Sequence, residues 1–97
     1  MNTFQVVRVV DGDTFDVSPG WTWGGSNGNR VRPAGYDAAE ISAAGGATAT
    51  AKLSSLILGR SVQLGNAHTI DRGRLVCEVF FDGRNLAEYF KRRTPHY

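Results

Sequence analysis

A chain of 97 residues, 41% of them apolar and 21% charged, makes one domain around one core, which excludes a multidomain enzyme, a long solenoid and a disordered segment. The lone Cys77 cannot close an internal disulfide and no Cys/His spacing suits zinc, so packing alone must hold the fold. No apolar run is long enough to span a bilayer and the first residues lack the regions of a signal peptide, so cytoplasmic residence is the default expectation.

The net charge of +2 conceals a gradient. Three basic side chains stand against five acidic ones in residues 1–40, and eight against four in residues 41–97. Nine of the eleven cations are arginine, whose planar fork grips phosphate or carboxylate at two points. Compositional bias explains such an excess equally well until individual positions are placed.

Phe4 to Val10 is rich in β-branched residues, and Asp11-Gly12 followed by the alternating Thr14-Phe15-Asp16-Val17 predicts a β-hairpin with its tip at Asp11-Gly12-Asp13. Pro19 to Gly28 reads as a strand end bearing Trp21 and Trp23 and a glycine-rich turn, leading into a strand through Arg30-Val31-Arg32. The two tryptophans, one residue apart, are expected on one side of a strand as a packing pair, with base stacking the lesser use.

From about Ala47 to Leu58 the spacing of Ala49, Leu53, Leu56 and Ile57 predicts a helix, stopped by Gly59. Ser61 to Leu64 is a short strand, and Arg74 to Phe81 a longer one ending at the Asp82-Gly83 turn. Arg84 to Arg93 is expected to close the chain as a second helix, with Leu86, Tyr89 and Phe90 on its buried stripe and Lys91-Arg92-Arg93 complementing its C-terminus. His68 and His96 are placed in loop or tail, and Cys77 is read as a small packed residue. Together these elements give a mainly β, α+β fold: a single domain over residues 1–97, built as a five-stranded OB-type barrel with two packed helices.

The polar motifs are individually weak. Asp11 and Gly12 suffice for a turn, which leaves Asp13 as an extra acid at a strand edge. Arg32 to Glu40 then supplies a cation and two more carboxylates, Asp37 and Glu40. Two aspartates arriving from different strands, Asp13 and Asp37, suit a hard divalent cation, and Glu40 is placed to hold a water instead. In Asp71-Arg72-Gly73-Arg74 the glycine lets the backbone turn so that Arg74 projects from the start of a strand, and an ion pair of Arg74 with Asp71 or Glu78 is its plain structural use.

The ordered set Val9-Val10-Asp11-Gly12-Asp13-Thr14, Arg32 to Glu40, Gly59-Arg60-Ser61-Val62, Asp71-Arg72-Gly73-Arg74 and Asp82-Gly83-Arg84-Asn85-Leu86 resembles the staphylococcal-nuclease-like (thermonuclease) family over nearly the whole chain. The resemblance implies a calcium-dependent endonuclease that hydrolyses phosphodiester bonds of single-stranded DNA or RNA. It implies Asp13, Asp37 and the main-chain carbonyl of Ala38 as Ca2+ ligands, Glu40 as the acid that orients or deprotonates the attacking water, and Arg32 and Arg74 as grips on the scissile phosphate. In-line attack on a phosphodiester adds negative charge to its equatorial oxygens, which two guanidinium forks and a cation are suited to meet.

The chain departs from the family in the short Asp71–Arg74 loop, in Ala38 and Ala39 after the second aspartate, and in stopping at Tyr97 where relatives continue through a further helix. It resembles a short member, and the barrel surface left by that helix is expected to be covered either by a second copy, as a homodimer, or by the Trp21/Trp23 hairpin. Two readings of other classes stand beside the nuclease: a non-catalytic OB-type nucleic-acid-binding module, and a protein-interaction domain in which the same charges form a structural network.

Overall fold

The structure is a computed structural model that describes residues 3–36 and 45–90. Side-chain alternation builds its strands. Phe15 and Val17 on β2 (Thr14–Trp23), Val31 and Pro33 on β3 (Ser26–Pro33), and Leu75, Cys77 and Val79 on β5 (Arg74–Phe81) point inward, while the residues between them face outward or sit at the rim. β1 (Thr3–Asp11) contributes Val6 and β4 (Ser61–Asp71) contributes Val62 to the same core.

The strands run in the order β3-β2-β1-β4-β5, all neighbours antiparallel, and a parallel pairing of β3 with β5 closes the ring. The result is a mainly β, OB-like barrel of five strands with a two-residue β6 (Arg84–Asn85) added to the end of β5. Closure joins strands far apart in sequence: Val31 lies beside Leu75, Arg32 beside Val76 and Pro33 beside Cys77.

Among the described residues one α-helix, α1 (Gly46–Ile57), packs on the barrel. Leu53 and Ile57, one turn apart, are fully buried, and their burial contributes about 1.5–3 kcal/mol each. The helix stops where expected, with Gly59 in the left-handed region at φ 78. The Gly59 N–H then donates to the Val6 carbonyl at 2.9 Å, which splices the helix end onto β1.

Several elements differ from the expectation. Over its described part, Arg84–Phe90, the expected second helix is replaced by other structure: Asp82 and Gly83 both have positive φ, 56 and 77, and this tight turn folds Arg84 and Asn85 back onto Phe81 and Phe80. Beyond Asn85 the chain makes a single 3-10 turn, Leu86–Tyr89, capped by Asn85, whose Oδ1 accepts from the Ala87 N–H at 2.9 Å. Lys91, Arg92, Arg93, His96 and Tyr97 lie outside the described residues.

β4 is eleven residues long rather than four, because Gly65 and Asn66 fall in a register shift between Leu64 and Ala67 instead of breaking the strand. His68 is therefore an exposed strand residue and not a loop residue. The tryptophans do not form a buried pair. Trp21 is 4% exposed, lies against the bare backbone of Gly28 and donates its indole N–H to the Arg30 carbonyl at 2.8 Å, whereas Trp23 is 38% exposed. Cys77 is buried as expected.

Candidate functional site

The turn between β1 and β2 sets the site. Asp11 Oδ1 accepts from the Asp13 N–H at 3.2 Å, an Asx turn that spends Asp11 on backbone geometry. Asp13 and Thr14 come next, 8% and 3% exposed, and they are the buried polar side chains among the described residues. A carboxylate removed from water needs partners. Arg32 Nη2 stands 3.4 Å from Asp13 Oδ2, and the Thr14 hydroxyl donates to Asp13 Oδ1 at 3.2 Å.

Arg74 completes the cluster from the far side of the barrel seam. The Arg72-Gly73 turn, with φ 55 and 80, starts β5 so that Arg74 Nη1 donates to the Thr14 hydroxyl oxygen at 3.1 Å. Its Nη2 donates to Asp71 Oδ2 at 2.8 Å and its Nε to the Asp71 carbonyl at 3.3 Å. The structural use of Arg74 thus falls to Asp71 and not to Glu78. Arg32 reaches the same place through the parallel seam: it pairs with Val76, and Arg74, two residues earlier on that strand, lies on the same face of the sheet.

Asp13, Arg32 and Arg74 are therefore linked through one hydroxyl and one carboxylate. Asp37, Ala38 and Glu40 lie outside the described residues. Among the described residues no three His, Cys, Asp or Glu side chains converge as a metal cluster, and Asp13 is the one expected ligand that can be placed. Its chemistry fits a hard cation, since a carboxylate supplies the oxygen ligands such an ion takes.

Two contributors are not apparent from the sequence. Thr14 reads there as an ordinary strand residue, yet its hydroxyl joins Asp13 to Arg74; its place directly after the surplus acid is the available signal. Tyr36 donates its hydroxyl to the Gly12 carbonyl at 2.9 Å. Burial and then the nearby Asp13 charge raise this phenol well above its ordinary pKa, so it remains a donor. Nothing in the sequence around Tyr36 announces that partner, 24 residues away.

Beside the cluster, Asp16, Asn29, Arg30, Arg72 and Gly73 line an open groove of about 380 Å3. Arg30 binds Asp16 at two points, Nε to Oδ1 at 2.9 Å and Nη2 to Oδ2 at 3.2 Å, and these bonds hold the guanidinium even more firmly protonated than usual. No protein-family model and no curated protein matches the chain. No helix among the described residues is long and apolar enough to cross a membrane.

Proposed function

We propose that the protein is a metal-dependent phosphodiester hydrolase, a calcium-dependent endonuclease of the staphylococcal-nuclease-like type acting on single-stranded DNA or RNA. The observation that carries this reading is the convergence of Asp13, Arg32 and Arg74 around Thr14, three charged groups from three separate stretches of chain. Calcium held by Asp13, with Asp37 and the Ala38 carbonyl, would supply positive charge to a phosphate oxygen.

The chain's own residues do the rest. Arg74 commits three of its five N–H groups to Thr14 and Asp71, which fixes the guanidinium and leaves two to meet a phosphate oxygen. Arg32, held at Asp13, approaches the same phosphate from the β3 side. Glu40 is assigned the attacking water, as base or orienting acceptor. The adjoining groove offers a single strand a path past two further cations, Arg30 and Arg72.

One observation favours a second reading: both arginines already rest on carboxylates, Arg32 on Asp13 and Arg74 on Asp71, as they would in a purely structural ion network at a barrel end. Incubation of purified protein with single-stranded DNA, in calcium or in chelator and with an Asp37→Ala control, separates them. Calcium-dependent cleavage lost in Asp37→Ala is expected. Cleavage that survives chelator and mutation overturns the assignment, binding without cleavage makes the protein an OB-type binding module, and neither makes it an interaction domain.

A further inference from the structure

The peptide group between Gly12 and Asp13 is pinned at both ends. Its N–H donates to Asp11 Oδ1 at 3.2 Å, and its carbonyl oxygen accepts from the Tyr36 hydroxyl at 2.9 Å. With both polar atoms of that peptide plane held, the direction in which Asp13 leaves the turn is held too. The first bond is local to the turn. The second arrives from the end of β3 and depends on what keeps Tyr36 in place.

Tyr36 is held by stacking. Its ring lies on that of Phe90 with centroids 4.5 Å apart and planes 5° from parallel, and the Lys52 ammonium of α1 sits 4.6 Å from the centre of the Phe90 ring. Lys52 also donates to the Tyr89 carbonyl, which ties the chain just before Phe90 to the helix. Gly35 permits the approach: a Cβ there would stand 2.9 Å from that of Ala87, and its φ of 101 suits glycine. An aliphatic residue at position 36 would bury similar surface but leave the Gly12 carbonyl without this donor.

We propose that Tyr36 and Phe90 are positioning residues for Asp13, acting through the Gly12 carbonyl; the inference deepens, and rests on, the proposed nuclease site. Tyr36→Phe keeps the stack and removes only the hydrogen bond. It should weaken Ca2+ binding, measured calorimetrically, and lower kcat on single-stranded DNA, each by about 5-fold, with KM for the DNA unchanged. Phe90→Leu should act in the same direction, and Phe90→Tyr, which restores a flat ring, should return both quantities to within about twofold of the parent.

Ile57→Val serves as the control for general destabilisation, since it removes a buried methyl group from α1. Amide hydrogen exchange at Asp13 and Thr14 supplies a readout independent of metal and turnover, expected to accelerate about 5-fold in Tyr36→Phe but not in Ile57→Val. If the parent binds calcium and cleaves, and Tyr36→Phe and Phe90→Leu do so equally well, the inference is overturned while the nuclease reading stands. If the parent neither binds calcium nor cleaves, the nuclease reading falls and the exchange experiment decides: faster exchange confined to the turn upholds positioning of Asp13, and unchanged exchange overturns it.

Discussion

The two ends of the barrel solve opposite problems. At the Asp13 end, charged side chains are drawn out of water and each is answered: Asp13 by Arg32 and Thr14, Arg74 by Thr14 and Asp71. At the other end the β2–β3 hairpin presents Trp21 and Trp23 beside Phe4 and Leu64 in a cleft of about 460 Å3, and the buried Trp21 satisfies its indole N–H with one bond to the Arg30 carbonyl. The lesson is a division of labour: apolar contact at the hairpin end supplies stability, while the polar end holds its charged side chains in place at little net gain in stability.

Substitutions at the two ends should therefore fail in different assays. Trp21→Ala empties a buried site and should cost about 3–5 kcal/mol in urea unfolding, yet leave calcium affinity of the folded fraction unchanged. A loss of calcium affinity in folded Trp21→Ala would show that the ends are coupled after all. Under the proposed nuclease function Arg74→Ala should do the reverse, lowering turnover on single-stranded DNA about 10²-fold, as expected for the loss of a donor to developing charge. Arg74→Ala protein that cleaves at the parent rate would remove Arg74 from the site.

Gly28→Ala sharpens the contrast at the hairpin end. A Cβ at this position would stand 2.8 Å from the Trp21 ring, so the indole must shift and about 1–3 kcal/mol should be lost. An unchanged urea midpoint would mean that Trp21 is not seated on this glycine. Cys77, in the core between the ends, tests burial alone. Desolvation, aided by the Glu78 charge, pushes its thiol up to about 12 from 9.0. Unfolded chains release this proton more readily, so the stabilisation is complete below about pH 9 and declines as pH rises, by at most about 1.4 kcal/mol per unit. Cys77→Ala should flatten that decline between about pH 9 and 10, and a slope identical to the parent's would assign it to other groups.

Much of the architecture is legible in the sequence because its signals are local. Alternation in Arg74–Phe81, the helical spacing of Leu53 and Ile57, and the glycine that stops α1 at Gly59 each work within a few residues. The departures from expectation share a cause as well. Gly65-Asn66 looks like a break until β5 is alongside to absorb the register shift, and Arg84 to Phe90 has helical spacing until the Asp82-Gly83 turn pairs its first two residues with Phe80 and Phe81. Trp21 and Trp23 share a spacing but not an environment, since only Trp21 has Gly28 beneath it.

The candidate site divides along the same line. The residue types that can meet a phosphate or a hard cation, Asp13, Arg32 and Arg74, and the turns that deliver them are written in the chain, because turn chemistry and side-chain charge are properties of short segments. That Thr14 joins Asp13 to Arg74 across 60 positions, that Arg74 chooses Asp71 over Glu78, and that Tyr36 with Phe90 behind it pins the Gly12 peptide were decided only when β3 closed on β5 and the 3-10 turn packed beneath Tyr36. Hydrogen bonds act over about 3 Å, and only the tertiary structure brings distant residues that close.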